Sequence, residues 1–363
     1  MENLLLPQRE RTIQRMRGQK TVLCIQDGSD LDYSNLDDCA GLGIIGSNQT
    51  GAKSRGLHLH STLAVTTDGL PLGLLKAQCH APSLRSEAET RPACSLPIEE
   101  KESFRWVLGL RDCMDIAGQM ADTKIISVMD READFFELFD ERRRNPCVEL
   151  LVRARYNRCT TGDLKLFDAV RESEVRGQFR IHVKRQSARS KKSKQNARAK
   201  RDERMAEVSV RYLPIELSPP VQHKDKAPIP MQIIHVVEDN PPQDVERIEW
   251  LLLTTVAIRC VADAEECLGW YCLRWRIEDW HRVLKSGCGI EDAAHKTAER
   301  LKRSIAINLV IAWRIMLMTL LGRETPELPA EVLFSDLEVE VLRAYAKKNT
   351  SSCRNNWETR YAW

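Results

Sequence analysis

The hydrophobic pattern changes its period along the chain. Short apolar runs bounded by turn residues predict strands at 21–27 (TVLCIQD), 57–66 (LHLHSTLAVT), 70–79 (LPLGLLKAQC) and 123–130 (TKIISVMD). Thr67-Asp68-Gly69 joins the second and third of these as a hairpin signal, and 28–34 (GSDLDYS) reads as a turn. Helical spacing covers about 99–119 and 133–143, with a Pro-, Ser- and Glu-rich loop at 80–98 between the strands and the first of these helices. A short basic helix opens the chain, with Arg9, Arg11, Arg15, Arg17 and Lys20. From 147 to 255 the pattern is strands and turns: CVELLVRA, GQFRIHVKR, AEVSVRYL, PMQIIHVVE and IEWLLLTT. Beyond Val261 it is helical, over about 261–286, 296–321 and 331–347.

This order predicts an α/β chain with a β-rich insert and a helical end. The segments are a basic helix at 1–20, a first core part at 21–146, the insert at 147–256, a helical second core part at 257–322 and a final segment at 323–363. Two strands end on an acid, Asp27 and Asp130. In open α/β sheets ligands bind at that end of the strands.

Composition narrows the class. With 363 residues, 42% hydrophobic and 29% charged, the chain reads as an ordinary globular protein rather than a disordered one. A net charge of +3 excludes a wholly basic, histone-like protein. Positive charge is nevertheless concentrated locally, with ten Lys or Arg among the 21 residues from Lys184 to Arg204. Such a run does not pack into a core; it predicts an arm or hairpin tip with a salt-dependent attraction for phosphates. The apolar stretch from Ser304 to Leu321 carries Asn308 and Arg314, so it reads as a core helix and not a membrane span. The charged N-terminus does not read as a secretory signal, which makes the cytoplasm the expected location. The twelve cysteines include no Cys-x2-Cys pair and read as reduced thiols rather than disulfides or a zinc site.

The segment richest in chemistry is YCLRWRIEDWHRVLK, Tyr271 to Lys285. At about 100° per residue, Tyr271, Arg274, Glu278 and Lys285 share a stripe roughly 60° wide. Such a face combines one acid able to hold a metal with a guanidinium fork, an ammonium and a phenol able to grip phosphate. Arg274 and Glu278 are also four apart, so a solvated surface ion pair explains the same spacing. Among the acids, Asp30, Asp32, Asp134 and Asp279 match Asp27, Asp130 and Glu278 on composition alone. His58 and His60 share one strand face without an evident third ligand, and His281 falls one helical turn beyond Glu278.

The spacing Tyr271-x2-Arg274-x3-Glu278-x6-Lys285 resembles the Y-(2)-R-(3)-E-(6)-K signature of the IS4 family of bacterial transposases. VLCIQDGSDLDYS with GIIGSNQTGAKSRGLHLHSTLAV resembles that family's first-aspartate region, VMDREADFFELFDE its second, and EWLLLTT with RWRIEDWHRVLKSGCGIE its third. The likeness spans about residues 20–320.

The resemblance implies an RNase H-like mixed sheet flanked by helices, with Asp27, Asp130 and Glu278 as catalytic acids and metal ligands at intervals of 103 and 148 residues. It implies two Mg²⁺ or Mn²⁺ ions, which hard oxygen ligands favour over Zn²⁺. Tyr271, Arg274 and Lys285 would hold DNA phosphates, Trp250 would stack on a flipped base, and Arg153 would touch DNA. The implied activity is cut-and-paste transposition of an insertion element. Its partners would be double-stranded DNA, at the element's ends and in the target, and a second copy of the chain in a synaptic homodimer. The protein would lie in the bacterial cytoplasm, on the nucleoid when bound to DNA. Family members carry an end-reading domain ahead of the first acid and a longer helical tail. The expected alternative is therefore a transposition-defective remnant that binds DNA or inhibits the full-length enzyme.

Overall fold

Ten strands form one mixed sheet in a computed structural model that describes residues 1–46, 54–82, 96–183, 202–243 and 245–350. The chain divides into a unit of Met1–Trp313 and a second of Arg314–Trp363.

Within the first unit, α1 (Glu2–Met16) precedes β1 (Thr21–Asp32), β2 (Gly43–Ile45), β3 (Ser54–Thr66) and β4 (Pro71–His80). Helix α2 (Phe104–Ala117), β5 (Lys124–Met129), α3 (Phe136–Arg144) and β6 (Glu149–Arg153) follow. Then come α4 (Leu166–Glu172), β7 (Gly177–Val183), β8 (Arg204–Leu217), β9 (Ile229–Glu238) and β10 (Glu249–Thr254). The sheet order is β2-β3-β1-β5-β6-β10-β9-β8-β7, with β4 on β3. Strands β1, β5 and β6 are parallel neighbours, and every other pair is antiparallel. The strands of the expected insert therefore belong to the same sheet.

The central strands read as continuous apolar runs because both faces are covered. On one face Val22, Cys24, Ile125, Met129, Leu150 and Val152 pack with Trp106, Leu110 and Cys113 of α2 and with Leu138 and Phe139 of α3. The alternate positions Leu23, Ile25, Ile126, Val128 and Leu151 are fully buried on the other face. That second face is the one that α5 (Val261–Cys272), α6 (Trp275–Arg282) and the start of α7 (Ala298–Glu324) serve. The Trp280 indole donates to the Leu309 carbonyl at 3.1 Å and the Trp313 indole to the Pro71 carbonyl at 2.9 Å, which ties α6 to α7 and α7 to β4. By length and composition α7 is apolar enough to cross a membrane; Leu301, Ile305, Leu309 and Ala312 are nonetheless fully buried.

Several expectations change. The turn expected at 28–34 is strand as far as Asp32, because β3 is long enough to pair with β1 from Val22↔Thr66 to Asp32↔Gly56. The helix expected from 133 starts at Phe136, after a 3-10 turn at Arg131–Ala133. Helix α4 lies inside the region expected to hold only strands and turns. The basic run is outside the described residues as far as residue 201. Arg204 opens β8 and forks onto the buried Glu238 carboxylate at 2.8–3.1 Å, so its charge is neutralised. The described cysteines form no disulfide; Cys24, Cys39, Cys113 and Cys267 are buried, whereas Cys147, Cys159 and Cys260 are exposed. In the second unit, the helix expected over 331–347 starts only at Asp336, as α8 (Asp336–Thr350), after a 3-10 turn at Ala330–Val332.

Candidate active site

Strand register builds the site. The last parallel pair between β1 and β5 is Ile25↔Val128, so two residues further on Asp27 stands level with Asp130. The pair Met129↔Val152 puts Arg153 next in the same row. In-register residues of neighbouring strands point to one face, so two acids and an arginine line up at the carboxyl ends of the three parallel strands. Strand β5 stops at Met129 while β1 runs on to Asp32, so Asp27 lies beyond the last paired residue of β5. Strand β10 adds Trp250, two residues before the pair Leu252↔Arg153 and therefore on the same face.

The third acid comes from above. Segment 261–287 is not the single even helix that the spacing predicts. It tightens into a turn at Leu273–Arg274, where Arg274 N–H donates to Tyr271 three residues back, and it widens into a π-helical turn at Val283–Gly287. Helix α6 is pinned to the sheet by His281, whose Nε2 lies 2.8 Å from Ser61 Oγ. Ser61 is the cross-strand partner of Asp27, so this bond places Glu278, one turn earlier on α6, above Asp27. His281 is buried, and burial pushes its pKa down to about 3, which keeps the ring neutral.

Arg274 joins the acids. Its Nη2 is 2.5 Å from Glu278 Oε1 and its Nη1 is 3.5 Å from Asp27 Oδ2. The ion pair allowed by the spacing does form, but its arginine is buried, with Arg274 only 8% exposed, while Glu278 is partly open to solvent. On its other side the Tyr271 hydroxyl interacts with both Arg274 and Arg153. The Tyr271 ring meets the half-buried Trp250 edge to face, with centroids 5.8 Å apart. Asp27, Glu278, Arg274, Tyr271, Arg153 and Trp250 thus form one connected set, and Asp130 is close enough to act on both Asp27 and Tyr271 through its charge. Lys285 falls at the edge of this set. The wide turn carries its Nζ to the Asp30 carbonyl at 2.5 Å, with Glu291 at 3.5 Å.

The competing acids are committed elsewhere. Asp30 Oδ1 holds His58 Nδ1 at 2.7 Å, Asp32 caps Ser34, and Asp279 pairs with Arg282 at 2.7 Å. Asp134 is buried and accepts from the Arg155 and Tyr156 amides at 2.6 and 3.0 Å and from Arg158 Nε at 2.8 Å. It fixes the loop after Arg153, a role the sequence did not suggest. Asp130 instead spends one oxygen on the Glu132 amide at 2.8 Å, and Asp27 one on the Gly28 amide at 2.9 Å. Gly28 lets the His58 ring lie close, since a Cβ there would meet His58 Nε2 at 2.9 Å.

Burial pushes the Asp27 carboxyl up to about 7; Arg274 opposes the shift, and the Asp130 and Glu278 charges add to it. In the metal-free protein this costs stability as pH rises. The folded state holds a proton that the unfolded state, at the ordinary 3.8, has released, so stability falls between about pH 4 and pH 7 and levels off above. Asp27→Asn removes the buried charge. In EDTA it is expected to stabilise the protein by about 1–3 kcal/mol at pH 8 and by much less at pH 4.5. Urea denaturation at the two pH values checks this, and an equal effect at both would contradict it.

Among the described residues no group of three His, Cys, Asp or Glu stands ready to hold a metal ion. The Arg274 guanidinium lies between Asp27 and Glu278 and contacts both. The donor set itself, all carboxylate oxygen, is of the kind a hard divalent cation takes, and the charges of Asp130 and Glu278 reach Asp27, adding to the upward shift that burial causes. No protein-family model matches the chain.

Proposed function

We propose that this protein is a metal-dependent DNA transposase with an RNase H-like core, of the kind found in the IS4 family. The observation that carries the reading is convergence. Residues from blocks far apart in the sequence, Asp27, Asp130, Arg153, Trp250, Tyr271, Arg274 and Glu278, meet on one sheet face at the carboxyl ends of the parallel strands. The mixed sheet with helices against it is compatible with such a core and supports the reading.

Asp27, Asp130 and Glu278 would hold the divalent cations, Mg²⁺ or Mn²⁺, which supply Lewis acidity and an activated oxygen nucleophile for in-line displacement at phosphorus. The chain's other residues bind and orient DNA. Arg153 and Arg274, both in contact with the Tyr271 hydroxyl, form a cradle for a backbone phosphate. Trp250 offers a half-buried indole, braced edge-on by Tyr271, for an unpaired base. Lys285, hydrogen-bonded to the end of β1, provides a further cation at the rim. On this reading strand hydrolysis at the element's end, hairpin formation, reopening and joining to target DNA all use this one site. Duplex DNA of the ends and target and a second copy of the chain are its partners, and the bacterial cytoplasm its location.

Supercoiled plasmid carrying candidate element ends tests the reading. Incubation with Mg²⁺ or Mn²⁺ is expected to give nicked and joined products with free 3′-OH ends, and EDTA to prevent them. Plasmid that stays intact with either metal, in the presence of protein that binds it, would overturn the proposal.

A further inference from the structure

We infer that the Arg274 guanidinium is the resting counter-ion of the carboxylate site, and that a DNA phosphate must draw it away before a divalent cation enters. The inference rests on the proposed function for its partners and extends it to the order in which they load.

The geometry carries it. One guanidinium reaches two of the three carboxylates through different nitrogens, Nη2 to Glu278 at 2.5 Å and Nη1 to Asp27 at 3.5 Å. The guanidinium thus neutralises, through Glu278 Oε1 and Asp27 Oδ2, two of the carboxylates that would hold a cation. Asp27 Oδ1 is already taken by the Gly28 amide, which leaves Oδ2 as its free donor. A guanidinium has five N–H donors and no acceptor, and it stays charged, so it cannot yield by losing a proton. It must move.

Arg274 is placed to move. It stands at the tight turn between α5 and α6 and not within either helix. Its guanidinium carbon lies 5.2 Å from the Trp275 ring centre, a face along which a planar cation can slide. The resting contact is also incomplete, since Arg274 Nε is buried with no acceptor. A phosphate beside Tyr271 and Arg153 would satisfy that N–H and exchange two carboxylate contacts for a bidentate fork. Loading would then follow one order, with DNA first and metal second. An enzyme built this way does not assemble its hydrolytic centre away from DNA.

Mn²⁺ binding to metal-free protein, followed by electron paramagnetic resonance, tests the inference without relying on turnover. With Mn²⁺ alone, Arg274→Gln is expected to bind at least about tenfold tighter than wild type, because a positive charge has left the site. Arg274→Lys, which keeps the charge but loses the two-armed bridge, is expected to fall between them. It also carries the comparison if the glutamine variant does not fold. Added duplex DNA is expected to tighten Mn²⁺ binding by wild type and to change Arg274→Gln little. Equal or weaker Mn²⁺ binding by Arg274→Gln would overturn the inference and leave the two-metal reading standing. No Mn²⁺ binding by any folded variant, with or without DNA, would overturn both.

Discussion

Glu278→Gln is expected to lower the rate of metal-dependent strand cleavage by about a thousandfold or more, with DNA binding changed only a few-fold. Glutamine keeps the size of the side chain and can still accept from Arg274 Nη2, now 2.5 Å from Glu278 Oε1. It loses the negative charge that a divalent cation requires. Metal stabilisation of the transition state is worth several kcal/mol, and about 4 kcal/mol corresponds to about three orders of magnitude. Glu278 stands on α6, whose seat on the sheet depends on His281 and Ser61 and not on the glutamate itself, so the fold is retained. Single-turnover cleavage beside fluorescence anisotropy separates the two quantities. Cleavage within tenfold of wild type would remove Glu278 from the chemistry.

The second large effect concerns stability and divides two acids only four residues apart. Asp134→Ala is expected to cost about 3–5 kcal/mol, because it strands the half-buried Arg158 guanidinium and two backbone amides that Asp134 now satisfies. Asp130→Ala is expected to cost less than about 1 kcal/mol and to abolish cleavage, since Asp130 gives up one local bond to the Glu132 amide and relieves repulsion on Asp27. Urea denaturation of both variants makes the comparison. The opposite ranking would mean that Asp130 is the structural acid of the pair. The result bears on function as well, because the loop that Asp134 holds follows directly from Arg153.

Much of the site was legible because its parts are local. The Tyr271-to-Lys285 spacing, the two acids after apolar strands, and the strands at 57–66 and 70–79 are patterns within a few residues of one another. The alignment of Asp27 with Asp130 was latent in the interval of 103 residues, which equals the register offset between β1 and β5. Features that depend on distant partners were not legible. The extension of β1 to Asp32 is set by the length of β3, a fact about a second strand. The breaks in the helix after Val261 follow from fitting it to the sheet through His281 and Ser61, which lie 220 residues apart. The extra helix α4 was too short for its one buried pair, Leu166 and Val170, to establish a period, although their spacing of four was a signal. Asp134 and Asp130 have the same side chain in the same short segment; only the arrival of Arg155, Tyr156 and Arg158 from the end of β6 separates their roles.

The central claim is that Asp27, Asp130 and Glu278 form one metal-binding centre. Its most direct test is a crystal of the protein with duplex DNA and Mn²⁺, measured at a wavelength where manganese scatters anomalously. The expected result is anomalous density among these three carboxylates, with the Arg274 guanidinium turned onto a phosphate. Ordered DNA with Mn²⁺ bound elsewhere, or with Arg274 still bridging Asp27 and Glu278 and no metal between them, would contradict the claim.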